Sequence, residues 1–595
     1  MLRSGVRTIL VIASLLSAVA IARTGNEPFT FAVLGDRTGD ARPEIFHQIL
    51  AEIVLFNPDF IICTGNLIQD YAGDVAAANA QWDTITDQLK STGVPFFVAP
   101  GDHDISNAAS ESVFTKRIGR PAHTLKRGNS VFIFLDNSRW PAAESLPPAE
   151  LRWLDGELTQ ARKYRHAFVL MHRPYWRYAL DQGRPELLHS KFKAAGVDYV
   201  FTGRDDFYCS HTWDSIHYFQ VGPSGSRTRV DDDPGAGAFQ NYLLCRVSGD
   251  TVTVIVREPG RNEPLPTDTV TYESIRALQL AMKQAVALDA VNVPYAGPVD
   301  ASLPLTVRNI TTKAVTGKLT WQDSLTAWRV EPREITVSIT PQGHVIQSFK
   351  AHLANPDSLY PLPTFSMPYE YAPGKKTSIF RSLPIRREAA LIRAAKTPVL
   401  DGRLSDICWQ AAPTLRAFGG RTGGFSPVEP TAVWIARDDS LLYVAARCTD
   451  SRTDELKAEV TARDGEVQGD DHLSIVLDFD PSSPAPLEGK GKGEGKSYHE
   501  VFVNPAGTVA DRKCWFESGE IRKDYAWNGN WRVATGKGPD YWTVEMSCPL
   551  SDFGTVGSRW GVNASRFQSR TKEVAVWQIP FEQDPSGFGL LKFLK

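Results

Sequence analysis

From residue 27 to about 258, short apolar runs alternate with amphipathic stretches. The runs FTFAVLGD, DFIICTGN, PFFVAPGD, HAFVLMH and VDYVFTG are rich in β-branched and aromatic residues, and each closes on a Gly or a polar residue. That is the pattern of short buried strands. Between them, ARPEIFHQILAEIVLF and AAANAQWDTITDQLK carry apolar residues at helical spacing. Strand–helix alternation predicts parallel sheet with helices on both faces, an α/β sandwich over 27–258. In such folds sites form at the carboxyl ends of strands.

The texture changes after that. Over 259–388, SLPLTVRNITTKAVTGKLTW and WRVEPREITVSITPQGHVIQSFKAHL read as short strands punctuated by turns, which predicts an immunoglobulin-like β-sandwich acting as a spacer. Residues 389–595 are again β-rich. They hold eight of the fifteen tryptophans, which marks them as a further β-domain with its own aromatic core or surface. The alternation of Leu473, Ile475, Leu477 and Phe479 predicts a strand with one buried face. PSSPAPLEGKGKGEGKS reads as an exposed loop.

Length and charge narrow the picture. At about 100–200 residues per domain, a chain of 595 residues holds three or four. The formal net charge is −3 and the basic residues are scattered, which excludes nucleic acid as the main partner. Arg3 and Arg7 precede an apolar stretch from Thr8 to Ala20, and Ala20 and Ala22 flank Ile21. This reads as a signal peptide over 1–22 cleaved near Ala22, with an uncleaved anchor as the alternative. The expected location is the periplasm or the exterior, with no other membrane-spanning segment. Seven cysteines are an odd number for a disulfide framework, and buried free thiols stand beside two bridges in the last domain.

The candidate chemistry lies in five segments that end the predicted strands: GDRTGD, TGNLIQD, PGDHD, MHRP and TGRDD. Their order and spacing resemble the calcineurin-like metallophosphoesterases. That resemblance implies a phosphate-ester substrate and two metals about 3.5–4 Å apart that clamp it. It places Asp36, Asn66, Asp102, His172 and Asp206 at metal-ligand positions, with Thr38 where some members have Thr. It makes His103 the general acid, oriented by Asp104. Three of the five segments depart from the family pattern: Asn66 stands for a bridging Asp, Asp102 for an Asn, and Arg204 and Asp206 for two histidines. With Asp36, Asp102 and Asp206 against Arg204, these positions carry −2, enough for one divalent cation. The oxygen-rich remainder suits Mg, Mn or Ca better than Zn. An Arg204–Asp102 charge-assisted pair explains why two unusual residues occur together. His123, His211 and His217 are substitute ligands to be checked, and Asp231 to Asp233 read as a solvated turn.

In the last domain VLDGRLSDICWQAA, TAVWIARDDSLLYVAARCTD, GDDHLSIVLDFD, HEVFVNPAG, YWTVEMSCPL, WGVNASRF and PSGFGLLKF occur in order. This series resembles family 9-type carbohydrate-binding modules. The resemblance implies a carbohydrate or polysaccharide partner held on aromatic faces, with Trp515 and Trp577 as platforms and Arg566 and Asn563 as polar partners. It also implies structural calcium in some members, for which Asp470, Asp471 and Asp480 are the candidates. Two functions follow as expectations: a metal-dependent phosphoric ester hydrolase carrying a carbohydrate-binding module, or a catalytically impaired pseudo-phosphoesterase that binds carbohydrate or a cell surface.

Overall fold

The predicted strands of the first region form two facing sheets. In the computed structural model, which describes residues 27–69, 75–228, 233–411, 413–421, 423–479, 497–517, 520–554, 556–557, 559–579 and 585–593, the chain divides into two compact units, Met1–Gln279 and Leu280–Lys595. The expected signal peptide and its expected cleavage near Ala22, Asp231, Asp232, Asp480 and most of the Gly/Lys-rich loop lie outside the described residues.

In the first unit, β1 (Phe29–Leu34), β2 (Phe60–Cys63) and β3 (Phe96–Val98) run parallel. A second sheet holds β4 (His123–Arg127), β5 (Ser130–Phe134), β6 (His166–Leu170), β7 (Tyr199–Thr202), β8 (Cys209–Trp213) and β9 (Ile216–Gln220). Within it β5, β6, β7 and β9 are parallel, with β4 and β8 as antiparallel edges. β10 (Tyr242–Ser248) and β11 (Thr251–Arg257) then pair antiparallel with β1 to complete the first sheet. Both sheets are therefore mixed, where the alternation predicted parallel sheet. The pairs β8–β9 and β10–β11 are hairpins whose links are too short for a helical crossover.

The sheets are joined by phenylalanines. Phe31 packs edge-on to Phe132 at 5.2 Å, and Phe132 stacks on Phe168 at 4.5 Å. The outer face of the first sheet is covered by α1 (Pro43–Phe56), α2 (Val75–Ser91) and α3 (Ala108–Arg117), which bury Phe46, Trp82 and Phe114 against Leu34, Ile61 and Cys63. The second sheet is covered by α4 (Pro148–Ala161), α5 (Tyr175–Gln182) and α6 (Leu187–Ala195), through Leu154, Leu158, Trp176 and Phe192. Because helices shield both outer faces, the carboxyl strand ends are left open at one rim.

The second unit begins with two four-stranded sheets. One pairs Val299–Arg308 with His344–Leu353, and the other pairs Val315–Gln322 with Glu334–Ile339. Strict alternation of buried and exposed residues along Val315–Gln322 gives each sheet one core face. From Ile385 onward, strands link into a larger β-network around a core that includes Val433, Val444, Ile475, Met546 and Trp560. The strand His472–Asp478 is buried throughout, not on one face only, because Val476 packs against Tyr498 and Phe588 on the side opposite Ile475. All seven cysteines are buried and free. Among the described residues no helix is long and apolar enough to cross a membrane.

Candidate functional site

Each strand of the parallel cores ends in a tight turn that aims a polar side chain into the rim. Asp36 follows β1, Asn66 follows β2, Asp102 follows β3, His172 follows β6, and Arg204 to Asp206 follow β7. The turns need special backbone. Gly65 has φ of 103°, and a Cβ on Gly101 would lie 2.2 Å from Asn66 Oδ1. Asn66, Arg204 and Asp206 themselves take left-handed φ values of 56°, 86° and 53°. Asn and Asp tolerate that region, whereas for arginine it costs on the order of 1–2 kcal/mol. The loop after β3 is fixed at its far end by Asn107, whose side chain caps α3 through the amides of Ala109 and Ser110.

Asp102 is the hub. Its Oδ1 accepts from His172 Nε2 at 3.0 Å and from Asn66 Nδ2 at 3.2 Å. Its Oδ2 accepts from Arg173 Nη2 at 3.2 Å and from Arg204 Nη1. The Arg204–Asp102 pair expected from the sequence is present. Asp36 is also fully engaged: Oδ2 accepts from Asn66 Nδ2 at 2.9 Å and Oδ1 from the Arg204 amide at 2.9 Å. Asp206 accepts from Ser226 Oγ at 2.9 Å, and Asp205 pairs with Arg177.

These contacts fix the charges. Burial alone would raise Asp102, but the hydrogen bond and charge of His172, with Arg204 and Arg173, hold its carboxyl well below the usual range. His172 is buried, which disfavours its charge, yet Asp36 and Asp102 raise its pKa above the ordinary value. Both ring nitrogens face acceptors, Nδ1 lying 2.8 Å from the Thr64 carbonyl and Nε2 3.0 Å from Asp102 Oδ1. Burial pushes Asp36 up to about 7; His172 opposes this and Asp206 adds to it. The guanidinium groups of Arg173 and Arg204 and the His172 ring thus stand against these carboxylates, with Asp36 the one held nearest to neutral. The net of −2 expected from sequence omitted Arg173.

That donor set does not fit the metals of the resembled family. The amide oxygen of Asn66 accepts from the His103 N–H at 3.0 Å, which turns its NH₂ toward both carboxylates. Asn66 presents donors, not a metal ligand, at the bridging position. His172 Nε2 is turned onto Asp102 Oδ1 at 3.0 Å and not into open space at the rim. Asp102 is saturated by cationic and amide donors, and the guanidinium groups of Arg173 and Arg204 repel a divalent ion beside it. Among the described residues no group of three or more His, Cys, Asp or Glu is arranged to hold a metal.

The remaining expectations fare differently. His103 reaches the rim, but its Nδ1 accepts from Gln69 Nε2 at 3.0 Å. Asp104 does not orient it. Instead Asp104 accepts the amides of Asn66, Leu67, Ile68 and Gly101 at 2.7, 2.9, 3.2 and 2.9 Å, cross-bracing two loops. His123 stacks on Phe134, His211 pairs with Glu273, and His217 stacks on Tyr199, so their partners lie elsewhere. Thr38 is buried with its amide on the Asn66 carbonyl. Sequence reasoning missed Arg173, Arg177 and Asn137. Arg173 sits inside the MHRP segment itself, and Asn137 ends the apolar run FIFLDN as the other site residues end theirs. Asn137 Oδ1 holds the amides of His172 and Arg173 at 2.9 and 3.0 Å.

In the last domain the expected sugar contacts are corrected. Trp577 is 1% exposed, with the Arg387 guanidinium 4.6 Å from the ring centroid. Arg566 is buried against Asp450 and the Thr449 carbonyl. Asn563 is buried and bonded to the Gln578 backbone through both side-chain atoms. Neither these two nor the Trp577 ring reaches solvent. Trp515 alone of the four is half-buried, on the strand Val509–Glu517. Asp470 accepts the Val460 amide and Asn504 Nδ2, and Asp471 accepts the Lys457 and Ser569 amides, so both brace loops.

Residues 29–203 match the family model described as calcineurin-like phosphoesterase. No curated protein matches the chain. Among solved structures the chain is similar to a family 9 carbohydrate-binding module from Caldicellulosiruptor kristjanssonii in complex with glucose, at 17% identity over 35% of this chain and 95% of that one, TM-score 0.25. It is similar to a dimetal phosphatase from Danio rerio, at 15% identity over 40% of this chain and 98% of that one, TM-score 0.30. It is also similar to GAP50, the anchor in the inner membrane complex of Plasmodium, at 16% identity over 42% and 93%, TM-score 0.32. The match to the calcineurin-like phosphoesterase family thus covers residues 29–203, the stretch that carries the rim as far as the end of β7.

Proposed function

We propose that this chain is a non-hydrolytic member of its family, a pseudo-phosphoesterase whose first domain serves as a binding scaffold and whose last domain engages carbohydrate. One observation carries the first half. Asp102 accepts four hydrogen bonds, from Asn66, His172, Arg173 and Arg204, at the place where a two-metal site needs free ligands. Two-metal hydrolysis requires those ions to generate and hold a hydroxide nucleophile. A saturated carboxylate, an imidazole already engaged at both nitrogens and an amide donor supply neither. The test is elemental analysis of the purified chain with assay of phosphomonoester and phosphodiester turnover in excess Mn²⁺. Two tightly bound transition metals per chain, or turnover abolished by His103→Ala, would sink this reading.

The second half is supported by the ordered motif series of the last domain and by its β-architecture. With Trp577 buried, Trp515 is the one of the two expected tryptophan platforms that keeps an accessible face. Retention on insoluble polysaccharide that drops for Trp515→Ala in the full chain supports it. No retention on any of a broad panel refutes it.

A further inference from the structure

Three of the four donors around Asp102 have side chains held independently of it, and the fourth, Arg204, has its backbone fixed. Asn66 is pinned by its Oδ1 on the His103 amide. His172 is pinned by Nδ1 on the Thr64 carbonyl and by its own amide on Asn137. Arg173 is pinned by Nε on the Ser138 carbonyl at 2.9 Å, and Arg204 by its amide on Asp36. They come from the turns after β2, β6 and β7 and converge on a carboxylate from the turn after β3. That turn is itself secured by Asp104 rather than by Asp102. A preorganised cluster of cationic N–H donors converging on two oxygens is what recognises an oxyanion. It is also open to water: the Asp102 and Arg204 side chains are 25% and 30% exposed.

We propose that this rim is a metal-free oxyanion site in which Asp102 is the resident anion, and that a tetrahedral dianion, phosphoryl or sulfuryl, competes with it. This rests on the reading that metals do not occupy the rim. Two guanidinium groups face one carboxylate, with the His172 ring and the Asn66 amide beside them, so a dianion with three available oxygens matches the donor set better in charge and in number. Asp102 therefore acts as an internal plug. Its own turn is held by Asp104 on the Gly101 amide, so displacing the Asp102 side chain leaves that anchor in place.

The experiment uses the full chain with chelator present. Thermal midpoints are followed against inorganic phosphate and against sulfate, with chloride at matched ionic strength as the control. Wild type is expected to respond only at high concentration, and Asp102→Asn at concentrations lower by about ten-fold or more, as the loss of a competing charge implies. Adding Arg204→Gln to Asp102→Asn should remove the gain. An Asp102→Asn response no stronger than wild type overturns the proposal. If Asp102→Asn does not fold, wild type against Arg204→Gln decides: a phosphate response lost with Arg204 supports the site, and equal responses overturn it. A phosphate response without a sulfate response assigns the ligand as phosphoryl, and the reverse as sulfuryl. Metal-free protein with no anion response sinks only this proposal, whereas tightly bound metals sink the reading beneath it.

Discussion

Asp102 Oδ1 and His172 Nε2 lie 3.0 Å apart, although 70 residues separate them in the chain. In a two-metal hydrolase both atoms would face a metal; here they face each other. Two guanidinium groups, with the His172 ring beside them, stand against the carboxylates where ions would otherwise provide the compensation. Several consequences can be measured.

Arg204 contributes a hydrogen-bonded charge at the expense of a left-handed backbone. Arg204→Ala should destabilise the first domain by about 1–2 kcal/mol, allowing for partial solvent screening of the lost pair. Arg204→Gly should be milder by about 1 kcal/mol, since glycine accepts positive φ freely. Urea titration of the two variants checks the order, and Gly below Ala would contradict the strain argument.

Asn66→Asp places a carboxylate 2.9 and 3.2 Å from the oxygens of Asp36 and Asp102. Without a cation between them, the loss should be about 2–4 kcal/mol at neutral pH, shrinking as acid protonates one member of the cluster. Mn²⁺ should leave the wild-type midpoint unchanged and raise that of Asn66→Asp/Arg204→His/Asp206→His. Calorimetric scans with and without the ion read this directly.

Asp104 is the brace for two loops. Asp104→Ala strands four buried amides and should cost about 2–4 kcal/mol, while Gln69→Ala, which touches only the His103 ring, should stay within about 1 kcal/mol. Equal effects would return Asp104 to the role of orienting His103.

His499 gives the last domain a pH dependence. Burial among Trp527, Phe553 and Phe479, with Lys513 opposing a second charge, lowers its pKa to about 4. Between about 6.5 and 4 the unfolded chain binds a proton that the folded one does not. Stability should therefore fall as pH drops through that window, by about 1–3 kcal/mol in total, and level off below it. His499→Gln should flatten the profile of chemical denaturation against pH; an unchanged slope would assign it to another group.

Trp577→Ala should cost about 3–5 kcal/mol by removing a fully enclosed ring, and Trp515→Ala, half-buried, much less. Melting curves of the two variants separate packing from surface roles.

The sequence by itself determined the strands, because β1, β2, β3, β6 and β7 are continuous apolar runs that end where a Gly or charged residue makes further burial costly. It also determined which loops gather, since the carboxyl ends of parallel strands share one rim. The pairing of Arg204 with Asp102 was legible as two unusual residues in matched segments. Tertiary structure alone decided what those side chains do. The direction of the Asn66 amide depends on the His103 N–H; the protonation of His172 depends on Thr64 and Asp102; and the charge balance depends on Arg173, whose partner comes from a turn 71 residues away. Burial decided the rest: the spacing of Trp577, Arg566 and Asn563 leaves the facing side open, and only the packing of Arg387 and Asp450 over them closes it. A side chain's chemistry is set by the acceptors, charges and solvent around it, and those are supplied by residues remote in the chain.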